Sequence, residues 1–324
     1  MPSLKEIKGR IASVNSTRKI TSAMKMVASS KLHHAQVAIQ NMLPYEERLE
    51  HILKSFLAAE AEAQTIYDQE RPVKRAALVV FSSNSSLCGG FNANTIKLMT
   101  HAVDEYAKTI GRDNVEIYPI GRKVFEKARK MGLKVQGEYS ALADHPNVQQ
   151  CIEIAMELGR KFAAGEVDKV ELIYHHFKSA GSQVLTRKTF LPIDIESELN
   201  ADKERDLESV IATKESQEYL KKRGERKEEG GKSDDVKPLN DNFIVEPDMN
   251  TVLSQLMPKL AHLMLYTALL DSNASEHAAR MVAMQTATDN ADELLRELNL
   301  QYNKSRQQAI TSELLDIVGG SVNN

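Results

Sequence analysis

The sequence predicts two long helices, one from each end of the chain, flanking an α/β domain. Three observations lead there. Apolar residues recur at steps of three and four over both ends, which is the spacing of one helical stripe. The middle alternates short apolar runs with helical stretches, which is the signature of a mainly parallel sheet with helices over its faces. Between the middle and the C-terminal end lies a stretch in which more than half of the residues are charged, too polar to join a core.

The first helix is anchored by its pattern. Between Leu4 and Leu43 there is no aromatic residue and one glycine, and Leu4, Ile7, Ile11 and Val14 are followed by Ile20, Met24 and Val27 on one stripe. Ser3-Leu4-Lys5-Glu6 matches a capping box. The spacing predicts a helix from about residue 3 into the fifties, assigned as 1–58, with Pro44 kinking or interrupting it. The same three-and-four spacing runs from Leu253, Leu256, Leu260 and Leu263 through Ala274, Ala278 and Met281 to Leu295, Leu298 and Tyr302. This gives a second helix over 248–320, with a kink expected at Pro258 and a stop at Gly319-Gly320. At ~1.5 Å per residue such a helix is on the order of 100 Å long and must bury its stripe on a partner. The other terminal helix is that partner, which makes an antiparallel coiled coil. Charge agrees: residues 1–43 set Lys5, Lys8, Arg10, Arg18, Lys19, Lys25 and Lys31 against Glu6, whereas residues 272–324 hold seven acids against Arg280, Arg296, Lys304 and Arg306.

The α/β domain is placed at 74–195. Ala76–Phe81, Val115–Ile120 and Val170–Phe177 read as strands and Gln183–Phe190 as an edge strand. Ala93–Ile110, Arg122–Met131 and Val148–Ala164 read as helices. The alternation is Rossmann-like. The charged insertion, 196–245, reads as a solvated segment without chemistry.

Several function classes are excluded or left without support. Net charge is −3 over 324 residues, so whole-molecule attraction to nucleic acid or anionic lipid is not expected. The basic first helix has no interleaved aromatics and no nucleic-acid-reading motif. The longest apolar run, near Leu260–Leu270, is about half of the ~20 residues that a membrane span needs, and the first residues show no apolar targeting core. Cys88 and Cys151 lack metal-ligand spacing, and the adjacent pairs His33-His34 and His175-His176 point their rings in different directions, so no metal site is expected. The run Leu78–Asn94, LVVFSSNSSLCGGFNAN, enters a Ser/Gly-rich turn at the place where many α/β proteins hold phosphate. It has neither GxxxxGK[ST] nor GxGxxG, and no GxSxG elbow. No catalytic group and no cofactor is nominated, and the two glycines suit close approach by another protein as well as by a ligand.

Four blocks in order, KEIKGRIASVNSTRKITSAMKMVASSK (Lys5–Lys31), SLCGGFN (Ser86–Asn92), ASEHAARMVAMQTATDNA (Ala274–Ala291) and LQYNKSRQQAITSELLDIVGGS (Leu300–Ser321), carry a resemblance to the gamma-subunit family of the F-type ATP synthase. The likeness spans nearly the whole chain except the insertion. It implies a non-catalytic central rotor shaft without cofactors. Its partners would be the alpha and beta subunits of the catalytic hexamer, the epsilon subunit and the membrane rotor ring. The place implied is the cytoplasmic face of the bacterial inner membrane. Position by position, it implies contact with beta at Met24 and Lys25, at the turn Cys88, Gly89 and Gly90, and at Arg280, Arg306, Gln307 and Thr311. Asn84-Ser85-Ser86 departs from the Asp-Arg-Gly common before LCGG. The insertion lacks the cysteines that form a redox switch in plant relatives, and it is expected to act, if at all, through charge.

Overall fold

The computed structural model describes residues 3–59, 66–194, 245–246 and 248–321. The charged insertion assigned to 196–245 falls almost wholly outside the described residues. Helix α1 spans Leu4–Ala59. Half of its expected capping box forms: Ser3 Oγ accepts from the Glu6 amide at 3.2 Å, but the Glu6 carboxylate pairs with Arg10 one turn on, at 3.4 Å, instead of returning to Ser3. Pro44 does not interrupt α1. An interior proline costs a helix ~3 kcal/mol. Leu49 and Leu53, just beyond it, are buried, and burial of two such side chains contributes about 3–6 kcal/mol, enough to hold the helix through the break in its ladder.

The α/β domain follows as β1 (Ala76–Phe81), α2 (Phe91–Thr109), β2 (Val115–Ile120), α3 (Arg122–Lys130), β3 (Lys134–Val135), α4 (Ser140–Asp144), α5 (Val148–Ala163), β4 (Lys169–Ser179) and β5 (Ser182–Leu191). The sheet order is β3-β2-β1-β4-β5. β1 runs parallel to β2 and β4, and β5 is antiparallel to β4. Every residue of β1 is buried, as expected of a central strand covered on both faces. Ala77, Val79 and Phe81 face α5 together with Leu49 and Leu53 of α1 and the first part of the last helix. Ala76, Leu78 and Val80 lie under Met99 and Val103 of α2 and Val124 and Ala128 of α3. The short elements β3 and α4 have no counterpart in the sequence reading.

Helix α6 spans Met249–Ser321. Asp248 caps it, accepting from the Thr251 amide at 2.9 Å and from the Thr251 hydroxyl at 2.7 Å. Pro258 lies inside, and the helix is described to Ser321, one residue past Gly319-Gly320.

The segment that leads into β1 is fastened by one carboxylate. Asp168 Oδ2 accepts from the amides of Lys74 and Arg75 at 2.8 and 3.0 Å, and Arg71, stacked over Phe162 at 4.2 Å, approaches Asp168 at 3.6 Å. Asp168→Ala strands two backbone donors, each costing ~1–3 kcal/mol. The expected loss is about 2–4 kcal/mol, seen as a lower urea midpoint with an unchanged slope.

Residues 1–29 with 280–324 form one compact unit, and residues 30–279 form the other. Within the first, α1 and α6 pair antiparallel: Thr21 Oγ1 meets Thr288 Oγ1 at 2.8 Å, and three residues back Arg18 meets Asp292, four residues forward, at 2.9 Å. Both members of the ion pair are about 40% exposed, a setting worth no more than ~1 kcal/mol. Buried Ile7, Ala28, Met284, Ala291 and Leu298 contribute more.

Candidate functional site

The nine residues implied by the resemblance fall into two groups. Six belong to the paired-helix unit. Met24 and Lys25 lie about one turn beyond Thr21 on α1 and are half-buried, as is Arg280 on α6. Arg306, Gln307 and Thr311 are exposed, and the Thr311 hydroxyl donates to the Gln307 carbonyl at 2.9 Å. Apolar side chains share this surface. Ile20 (60% exposed) and Val27 (58%), which the spacing places on the apolar stripe of α1, lie outside the buried seam, as does Met26 (65%). On α6, Leu300, Leu314 and Leu315 are exposed as well. Two helices bury only a narrow seam in each other, so a wider apolar stripe must project at its flanks.

The other three residues sit in the turn between β1 and α2. The turn is held from within by Asn92, whose Oδ1 accepts from the Ser83 amide at 3.0 Å and whose Nδ2 donates to Cys88 Sγ at 3.1 Å and to the Ser85 carbonyl at 3.3 Å. The Phe91 amide donates to the Cys88 carbonyl. Two of the amides that a phosphate loop would aim at a ligand are thus engaged internally. Cys88 is buried, Gly89 has φ +57°, and Leu87 has φ +68°, a conformation costing a residue with a Cβ roughly 1–2 kcal/mol. That strain presents Leu87 outward at 60% exposure. Leu87 escaped the sequence reading; its signal was an apolar side chain in an otherwise Ser/Gly-rich turn. Asn84, at the departure from the family pattern, does internal work: it accepts from the Arg122 amide at 2.9 Å and donates to the Ser140 carbonyl and to Asp144 at 2.7 Å each. It thereby ties the turn to α3 and α4.

The two adjacent histidines of β4 face opposite ways, as strand geometry requires. His176 meets Asp271 of α6 at 2.7 Å. His175 stacks on Phe91 with ring centroids 4.3 Å apart, near Thr95 Oγ1 at 3.4 Å. Burial pushes the His175 pKa down to about 4, so its ring is neutral. Because the unfolded chain takes up this proton near pH 6.5 and the folded one does not, stability falls as pH drops from about 6.5 toward 4. The loss between pH 7 and pH 5 is about 2 kcal/mol. Urea titrations at the two pH values check it, and His175→Phe should shrink that difference. Among the described residues no group of three His, Cys, Asp or Glu side chains is arranged to hold a metal ion.

Residues 3–322 match the family model described as ATP synthase. The ATP synthase gamma chain of Phocaeicola vulgatus is 52% identical over 322 residues, and that of Bacteroides thetaiotaomicron is 51% identical; the matches cover 99% of this chain and 100% of each relative. The chain belongs to the gamma-chain family of the F-type ATP synthase. It is therefore a subunit of a membrane-associated complex, which does not favour a nucleotide-binding enzyme with helical extensions or a coiled-coil scaffold as an alternative function. Among the described residues no helix is long and apolar enough to cross a membrane. A chain of the Euglena gracilis mitochondrial ATP synthase, in an OSCP/F1/c-ring structure, is similar in fold at TM-score 0.59 and 17% identity, covering 99% of this chain and 94% of that one. A chain of the Tetrahymena thermophila mitochondrial central stalk/c-ring structure aligns at TM-score 0.50 and 23% identity over 83% of this gamma-family chain and 99% of its own.

Proposed function

We propose that the chain is the non-catalytic rotor shaft that couples ion flow through the membrane ring to ATP synthesis or hydrolysis on the alpha/beta hexamer. It would work at the cytoplasmic face of the bacterial inner membrane and without a cofactor of its own. In this reading 1–58 and 248–320 are the shaft segments, 74–195 is the domain that meets epsilon and the rotor ring, and 196–245 is an accessory insertion acting through charge.

The observation that carries the reading is the unequal surface of the paired helices. Their seam is shared by Thr21, Thr288 and the buried Met284, while Ile20, Met26 and Val27 project from α1 and Arg306 and Gln307 lie exposed on α6. Three copies of one beta subunit around such a pair meet three different faces. A face shifts a neighbour's nucleotide affinity only by as much as it prefers one conformation of that neighbour, so an uneven surface is the requirement for unequal sites. Met24, Lys25, Arg280, Arg306, Gln307 and Thr311, together with the turn Cys88-Gly89-Gly90, are the proposed contacts with beta.

Purification of the chain with alpha, beta and epsilon, followed by ATPase assays with and without it, tests this. Co-purification and a change from independent to sequential turnover are expected. Failure to join the hexamer would end the reading.

A further inference from the structure

The middle of α6 departs from the pattern of the rest of the helix. From Asp271 to Ala278 every residue is buried, and Asp271, Ser272, Asn273, Ser275, Glu276 and His277 are polar. A helix enclosed on all sides is ordinarily apolar all round, and buried polar side chains cost stability unless they are hydrogen-bonded. Three of the bonds made here run to the α/β domain. Asp271 Oδ2 meets His176 Nδ1 of β4 at 2.7 Å, the Ser275 hydroxyl donates to the His175 carbonyl at 3.1 Å, and Asn273 Nδ2 donates to the Ala143 carbonyl of α4 at 2.8 Å.

Their angular placement gives them a purpose. Residues four apart share a helix face, so Asp271 and Ser275 both address β4. Asn273, two residues from each and about 160–200° away around the axis, addresses α4 on the other side. The helix is gripped from two sides at one level. Along Leu253–Leu269, by contrast, α6 packs mainly through apolar side chains, and apolar contact is non-directional: it resists separation far more than turning. The position is equally specific. The β1–β4 pairing ends at Val80 and Ile173, and this is where the chain order reverses, the crevice in which open α/β sheets take ligands. Here the chain's own helix is bound beside it.

We propose that Asp271, Asn273 and Ser275 are positioning residues that form a torsional key, locking α6 to the α/β domain so that twist applied to the C-terminal part of the helix reaches the domain without slip. The key rests on the shaft reading. Its test uses the assembled complex, with the hexamer fixed to a surface, a particle attached to the α/β domain and turnover stopped. The readout is the angular variance of the particle, which grows as the torsional spring softens. Asn273→Ala with Ser275→Ala removes two of the three directional bonds and is expected to widen the variance about twofold. Leu265→Ala, at a fully buried apolar position of the same helix, is the control: it lowers thermal stability and leaves the variance as it was. Should the double variant not assemble, Ser275→Ala alone is expected to give a smaller widening. Unchanged variance in the keyed variants, or equal widening by Leu265→Ala, overturns the key. A wild-type complex whose domain stays still while ATP is hydrolysed overturns the shaft reading first, and the key with it.

Discussion

Gly121→Ala is expected to prevent the α/β domain from folding. Gly121 joins β2 to α3 at φ +106°, and a Cβ built there would lie 2.0 Å from the Ser82 carbonyl oxygen and 2.7 Å from its carbon. Both atoms are backbone, so no rotamer change relieves the clash. Nor can the backbone retreat cheaply. Ser82 N donates to the Ile120 carbonyl at 2.7 Å, Lys123 N to the Ser83 carbonyl at 3.2 Å, Arg122 N to Asn84 Oδ1 at 2.9 Å and Val124 N to Ser82 Oγ at 3.1 Å. The last three satisfy orphan donors at the start of α3, the first joins the exits of β1 and β2, and moving those exits apart would break them together. The backbone conformation alone costs ~1–3 kcal/mol for a residue with a Cβ. With the clash and the lost bonds the total exceeds about 5 kcal/mol, a large share of a domain's whole stability. The measurement is soluble yield and incorporation into the complex. Gly132→Ala, also at positive φ (+68°) but with nothing within 4 Å of the new Cβ, should cost only about 1–2 kcal/mol and still incorporate.

Thr21→Cys with Thr288→Cys is expected to form a disulfide that stabilises the chain and leaves activity intact. The two hydroxyl oxygens are 2.8 Å apart, so sulfurs on the same β-carbons lie within reach of each other, as a disulfide requires. The two positions are 267 residues apart, and chain entropy alone assigns a loop of that length about 5.6 kcal/mol. The natural cysteines, Cys88 and Cys151, are buried, and burial pushes the Cys151 thiol up to about 12, so that thiol is a poor competitor in exchange. Non-reducing electrophoresis and thermal unfolding check bond and stability. If both helices turn as one body, ATP hydrolysis and synthesis by the complex are the same with and without reductant. Loss of activity that reductant restores would mean that the helices must move against each other.

What was legible in the sequence is what repeats. The helices α1 and α6 each carry many cycles of one period and the strands β1 and β2 are short, largely apolar runs, so their approximate extents could be read from the residue pattern. β3 has two residues and α4 five, less than a pattern needs. Pro44, expected to kink or interrupt α1, leaves it continuous, because local propensity is outweighed there by core contacts far away in sequence. The stripe of α1 was placed correctly at Ile7, but Ile20 and Val27 lie outside, because periodicity says which residues share a face and not how wide a partner covers it. The candidate contacts came from family blocks, and the structure adds their exposure and the internal bonding of the Cys88 turn. The polar stretch Asp271–His277 was not legible at all, since polar residues at helical spacing read as a solvated face until β4 and α4 are seen to supply their partners.

The most direct test fixes the alpha/beta hexamer to a surface, attaches a particle to the α/β domain of this chain and supplies ATP. The account predicts stepwise turning in one direction, with three equal pauses per revolution for the three beta subunits, and arrest of both turning and hydrolysis when the particle is held. Hydrolysis that continues at full rate while the domain is held still would contradict it.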